Sequence, residues 1–182
     1  MSDYTDHGAE MNDVFEHLEE HFYGKYRGRV VDNEDPTRRG RLKVRVPAVM
    51  GEEEVWALPC VPYAGDGVGF FTLPENDTAA WVEFEGGDPS FPIWVGCFWG
   101  DGQIPDQDAS PEIKFLRTEK VTLRIDDRQG ELLIEVKDGS SLKLTASQIT
   151  LESSNITSQS SGKKTTLTAA SFDVHDGALT VV

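Results

Sequence analysis

The stretch Trp81-Val-Glu-Phe-Glu-Gly-Gly-Asp-Pro-Ser-Phe-Pro-Ile-Trp-Val-Gly-Cys-Phe-Trp-Gly100 decides how the rest of the chain is read. Trp81, Glu83 and Glu85 alternate with Val82 and Phe84, the pattern breaks at Gly86-Gly87-Asp88-Pro89, and a β-branched and aromatic run resumes from Pro92. Period-2 alternation on both sides of a Gly/Asp/Pro break predicts a β-hairpin. Its tryptophans, phenylalanines and Cys97 carry more apolar surface than an exposed hairpin tolerates, so they are expected to close a small core.

Working outward, four more stretches predict short strands. Tyr26–Val31 is one. In Arg41–Val46, Leu42, Val44 and Val46 alternate with Arg41, Lys43 and Arg45, which places an apolar face inward and a basic face outward. Val55–Val61 and Val68–Leu73 are the others, and glycines and prolines punctuate them all. Five or six strands with no helical pattern between them predict a small closed or nearly closed barrel over residues 23–100.

Cys60 and Cys97 sit in strand-like apolar runs and are expected to be buried free thiols. The basic cluster Arg38, Arg39, Arg41, Lys43 and Arg45 is expected to form a solvated face balanced by Asp32, Glu34 and Asp35. The net charge of −15 disfavours a nucleic-acid partner, because an acidic surface repels phosphates.

The barrel stretches, taken in order, resemble a known family. Tyr26-Arg-Gly-Arg-Val-Val31, Gly40-Arg-Leu-Lys-Val-Arg-Val-Pro47, Pro62-Tyr-Ala-Gly65, Leu73-Pro-Glu75 and the Gly87-Asp-Pro-Ser-Phe-Pro-Ile-Trp-Val-Gly96 core are similar to the phage baseplate assembly protein V family. The chain departs from that pattern at Glu75–Ala80. The resemblance implies an oligonucleotide/oligosaccharide-binding (OB) type barrel belonging to the central spike of a contractile tail or related injection system. It further implies a homotrimer, a hub protein docked at the barrel end, a small conical tip protein at the far end, and only transient contact with the target membrane.

Before the barrel, residues 1–22 carry seven acids and no base, with Met11, Val14, Phe15, Leu18 and Phe22 at helical spacing. An acidic amphipathic helix is expected there. His17 and His21 stand four apart on it without a third ligand type, so they read as solvated rather than metal-binding. The first residues lack the basic and apolar regions of a secretory leader, so a leader-independent product of the cytoplasm is expected, and no stretch is apolar enough for a membrane-spanning helix.

After the barrel, residues 101–112 read as a polar linker. From 113 to 182 apolar residues recur as x, x+2 pairs: Leu123/Ile125, Ile134/Val136, Leu142/Leu144, Ile149/Leu151, Ile156/Ser158, Thr165/Leu167, Phe172/Val174 and Leu179/Val181. Steps of seven invite a coiled-coil reading, but the x, x+2 pairing and the Ser, Thr and β-branched content predict one strand and one turn per unit. Such a ribbon has one dry side and no second layer, so it is expected to need two further copies. The all-β expectation is therefore a barrel followed by a trimeric β-helix or β-prism.

Chemistry finds little support. No catalytic or cofactor-binding residues are identified, and Glu52-Glu-Glu54 reads as a solvated acidic run. For metal, His175 on a threefold axis is the single candidate, with an outward turn histidine as the plainer reading. The rival class is an OB ligand-binding module, for single strands or sugars, that uses Tyr63, Phe70, Phe71, Trp56 and Trp99 as stacking platforms. A tail fibre is a further rival, though fibres usually end in a globular head.

Overall fold

A computed structural model describes residues 20–105, 107–175 and 177–182. The chain divides into two compact units, one ending at Gln103 and the other running from Ile104 to Val182. Expectations for Met11–Leu18 and His17 lie outside the described residues. No helix among the described residues is long and apolar enough to cross a membrane.

In the first unit β1 (Tyr26–Asp32), β2 (Leu42–Arg45), β3 (Glu54–Pro59), β6 (Ala79–Phe84) and β7 (Pro92–Cys97) close into a barrel of order β1-β2-β3-β7-β6. The pairs are antiparallel except β3 with β7, where Leu58 faces Ile93 in parallel. Closure leaves no open edge, so the ladder donors of every barrel strand have partners. Between β2 and β3 lies a single helical turn, α1 (Pro47–Met50), opened by Pro47 at its first position.

The core follows from strand parity. Val30, Leu42, Val44, Val46, Ala57, Ala80, Val82, Phe84 and Trp94 point inward and are at most 6% exposed. Gly28 on β1 belongs to the same face because a Cβ there would meet the Arg45 carbonyl and a Val82 methyl, each at 3.1 Å. Phe22 seats on this core through ring contacts with Tyr26 and Phe84, and its N–H donates to the Gly87 carbonyl at 2.7 Å. The last residue of the predicted apolar stripe thus covers the barrel.

Three expectations change. The predicted strand Val68–Leu73 does not enter the barrel. Only β5 (Val68–Gly69) pairs, with β4 (Ala64–Gly65), because Gly67 at φ 67° and Gly69 at φ 156° turn the chain back and five strands already close the barrel. The hairpin aromatics do not all close the core: Trp94 and Phe84 do, whereas Trp81 and Phe98 stack outside at 4.6 Å beneath Arg27, and Trp99 is exposed. A bulge at Trp81/Val82 pairs Val82 with Trp94 and Trp81 with Gly96, which sets this parity. Finally, Cys60 and Cys97 are free as expected but exposed, because Ala57 and Trp94 take the inward positions.

The second unit holds two antiparallel meanders. β8 (Ile113–Arg117), β9 (Val121–Asp126), β10 (Glu131–Val136), β11 (Ser141–Leu144) and β12 (Ile149–Glu152) form one sheet in chain order. β13 (Asn155–Ser160), β14 (Lys163–Thr168), β15 (Phe172–Val174) and β16 (Leu179–Val181) form the other. One strand per apolar pair, as predicted, is what the chain adopts. From Ile156 to Thr165 the pairs step by nine rather than seven, and there β13 and β14 are joined by Ser161 (φ 49°) and Gly162 (φ 79°), a two-residue turn with both φ positive. Elsewhere threonines close the turns. The N–H of Thr118, Thr145 and Thr168 donates across the loop to Val121, Gln148 and Ser171, and each threonine hydroxyl accepts a loop N–H in return.

Two measurements check the barrel. Leu42→Ala should lower its unfolding free energy by about 2–5 kcal/mol, read by tryptophan fluorescence, since all four tryptophans lie between residues 56 and 99. A thiol reagent should label both cysteines of the native protein. Cys97 should react more slowly near neutral pH, because partial burial raises its thiol pKa and lowers its thiolate fraction.

Candidate interaction surfaces

Register turns the sequence pairs of the tail into columns. In the first sheet Leu116 faces Leu123, Leu123 faces Ile134, Ile134 faces Leu142, and Leu142 faces Leu151. Beside that column run Ile125, Leu132, Leu144 and Ile149. The second sheet repeats the device with Ile156, Leu167, Phe172 and Val181, flanked by Ser158, Thr165, Val174 and Leu179. Each apolar stripe is therefore two residues wide, roughly 7 Å, and runs across the strands.

Burial on the first sheet is inverted. On β9 the apolar residues Val121, Leu123 and Ile125 are exposed, while Thr122, Arg124 and Asp126 on the opposite face are partly or fully covered. The cover is the segment before β8. Asp108, its side chain 2% exposed, lies 2.9 Å from Arg117 and 3.1 Å from Arg124, and Arg124 also reaches Asp126 at 3.2 Å. Burial opposes the Asp108 carboxylate, but the two guanidinium groups prevail and hold its carboxyl below the usual range. Part of the stretch expected as a plain linker is thus fixed to the polar face of the sheet.

The barrel has a second built surface, around the β1–β2 loop. Asp35 accepts the N–H groups of Thr37 and Arg39, the Thr37 hydroxyl, and the Arg41 guanidinium at 2.8 Å. Arg41 first of all, and the two N–H groups after it, hold the Asp35 carboxyl well below the ordinary carboxylate range against the effect of burial. The Trp94 indole N–H donates to the Gly40 carbonyl at 3.1 Å and ties the same loop to the core. The loop is consequently rigid, and it presents Arg38 and Arg39 outward.

Beside it stand Tyr63, Phe70 and Phe71, the last 74% exposed. The edge of the Phe71 ring lies over Gly40, where a Cβ would approach it to 3.5 Å. Together the two loops bound an open groove of about 440 Å³ floored by Pro59, Val61 and Trp94. Of the five predicted stacking aromatics, these three come together. Trp56 lies instead under the Arg41 guanidinium at 5.2 Å, and Trp99 lines a different depression with Phe98.

Elsewhere the basic strand face is balanced much as expected, though by β3 as well as by Asp35: Arg45 pairs with Glu54 at 2.6 Å and with Glu52 at 3.4 Å, and Lys43 with Glu54 at 3.5 Å. Two of the three residues of the acidic run 52–54 are thereby accounted for. His21 stacks on Tyr23. His175 occupies an exposed turn after β15 at φ 53° and donates its N–H to the Lys164 carbonyl. Among the described residues no group of three His, Cys, Asp or Glu side chains is placed to hold a metal. Sequence reading named Asp35 only as one of three acids balancing the basic cluster, without its role in fixing the loop, and it missed Asp108. The signal of Asp35 was an acid followed within a few residues by Thr and Arg partners, a pattern too common to single out, whereas Arg117 and Arg124, the partners of Asp108, lie on strands that only the fold brings near.

The strand order, with β3 and β7 parallel in an otherwise antiparallel closed barrel, is that of an OB fold. Residues 26–99 match the family model of the type VI secretion system/phage-baseplate injector OB domain. The barrel belongs to this injector OB family. The match supports a structural role in a phage baseplate or injection particle, in association with other baseplate components. No curated protein matches the chain. On the injector OB barrel, the groove between the two loops and the tied-down β1–β2 loop are built surface features.

Asp35 gives this surface a pH signature. Its folded carboxyl titrates lower than in the unfolded chain, so its contribution is complete above roughly pH 4–5 and is lost as pH falls further. In urea unfolding followed by tryptophan fluorescence, wild type should exceed Asp35→Asn most at neutral pH. The difference should narrow steadily on acidification.

Proposed function

We propose that the chain is the central spike of a contractile tail or injection apparatus, acting mechanically as a homotrimer whose tail sheets form a needle. The observation that carries this reading is the inverted burial of the tail. A strand that covers Thr122, Arg124 and Asp126 while baring Leu123 and Ile125 is half of an interface. Covering each bare Leu, Ile or Phe is worth roughly 1.5–3 kcal/mol, and the two columns repeat it along the whole unit.

Three copies suit a stripe of this width. Two residues across is too narrow to fill a broad sandwich but matches one wall of a three-sided prism whose inner faces meet on an axis. The polar faces, bearing Thr122, Lys143, Thr150, Thr166 and Thr180, then face water. A needle built this way has its axis across the strands, so a compressive load acts along the ladders and presses strands together.

In the same proposal the barrel end, together with residues 1–22, meets a hub protein. The opposite end of the needle, around Val181 and Val182, receives a small conical tip protein. The target membrane is touched only during penetration, and the acidic surface limits its adhesion to anionic lipid. Neither nucleic acid nor a cofactor takes part, and the domains fall at 23–100 for the barrel and 113–182 for the needle. His175 faces outward from its turn rather than holding an axial ion.

Light scattering on the full chain tests the proposal. The expected mass is three times that of the 20.2 kDa chain. Ile134→Asp, at the centre of the first column, should abolish the trimer, whereas Thr150→Asp on the opposite face should leave it intact. A compact monomer at micromolar concentration would overturn the needle.

A further inference from the structure

The groove on the injector OB barrel remains unexplained by a needle. Its aromatic residues come from the stretch Val68-Gly-Phe-Phe-Thr-Leu73, which has the composition of a barrel strand yet lies outside the barrel with Phe70 and Phe71 exposed. Gly65, Gly67 and Gly69 shape that loop, and the Phe70 N–H bonds to the Tyr63 carbonyl at 2.9 Å, which ties the backbone that carries the aromatic residues. Arginines and aromatic rings gathered over a shallow apolar floor are the composition of an interface hot spot.

Charge says what chemistry belongs there. On a chain of net charge −15, Arg38 and Arg39 project from a loop whose one buried acid, Asp35, is already neutralised by Arg41. None of the ion pairs found among the described residues engages Arg38 or Arg39. The Arg39 guanidinium is steadied by the Thr37 hydroxyl at 3.1 Å. Asp66, at the tip of the β4–β5 hairpin, is the acid nearest in sequence to the aromatic residues. The groove is lined mainly by apolar atoms and offers few hydrogen-bonding side chains, which suits an apolar protein side chain better than a sugar or a run of bases.

We infer that this groove is the barrel's docking site for another protein of the assembly, one that inserts an apolar or aromatic side chain between Phe71 and the β1–β2 loop and sets acidic residues against Arg38 and Arg39. The inference rests on the assignment of the chain to a baseplate-like assembly and adds the surface and the chemistry of the partner. The Asp35 network is what keeps the two arginines aimed at the groove.

Fluorescence anisotropy on the full-length chain tests it with three probes: a labelled peptide of alternating glutamate and phenylalanine, its glutamine counterpart, and a labelled oligothymidylate. The acidic peptide should bind saturably and weaken with added salt. The glutamine counterpart should bind at least about tenfold more weakly, and Arg38→Glu/Arg39→Glu and Phe71→Ala should each weaken the acidic peptide by about tenfold or more while tryptophan fluorescence shows the barrel folded. Absence of saturable binding, binding indifferent to both variants, or tighter binding of oligothymidylate would each overturn the groove as a protein site. Light scattering of the same samples separates this from the needle: a monomeric wild type that still binds the peptide refutes the needle alone, and a trimer that fails to bind refutes the groove alone.

Discussion

Side chains on a β-strand alternate between two faces, and in the last third of this chain that rule gathers most of the large apolar residues on a face the chain itself leaves largely bare. The barrel obeys the same rule with the opposite outcome. There the sheet curls until β1 meets β6, so the inner face encloses Leu42, Val44, Val82 and Trp94 and needs nothing more. The tail sheets stay open. Their columns, from Leu116 to Leu151 and from Ile156 to Val181, are laid out with the regularity of a core but have no second layer. One grammar thus yields a unit that encloses its apolar face and one that leaves it bare, and in the proposed needle that bare face is what other copies would cover.

Charged networks fix the parts that apolar packing leaves free. Asp35 gathers six donors from residues 37–41 and converts an Arg-rich loop, which would otherwise sample many shapes, into a fixed rim anchored by Trp94. Asp108 does the equivalent for the tail, drawing Arg117 and Arg124 onto the segment before β8. A nearly buried carboxylate tolerates its surroundings at Asp35 because guanidinium and N–H groups replace the water it lost, and at Asp108 because two guanidinium groups lie against it. Removing either acid would strand arginines as well as empty a site, so each effect extends beyond the residue itself.

The sequence was most readable where periodicity and burial agree. The break at Gly86–Pro89, the alternation in Leu42–Val46 and the x, x+2 pairs of the tail each specify both an element and its inward face, and the observed strands follow them. Reading failed where composition and parity part company. Val68–Leu73 has the residues of a strand, but the neighbouring glycines turn it out of a barrel already closed. Trp81, Phe98 and Cys97 have the hydrophobicity of core residues, but a bulge sets them on the outer side. The groove could not be read for the same reason: it brings together Arg38, Gly40 and Phe71 from two loops whose meeting is set by the parallel β3–β7 closure and by the Trp94 bond to Gly40, neither of which leaves a local mark.

The tail's composition also shows what it was relieved of. All nine prolines lie at or before position 111, so no strand of the two meanders lacks a ladder donor. Its four glycines fall at turns or loops, at 130, 139, 162 and 177, and never within a strand, where they would loosen the column. Threonine fills both roles that remain, capping turns at 118, 145 and 168 and populating the outward faces of the strands. A segment that relied on a private core would need larger and more varied side chains. This one repeats two apolar residues per strand and spends the rest of its sequence on a hydrogen-bonded ladder, an economy that the proposed needle accounts for by making the apolar partner another segment of the same kind.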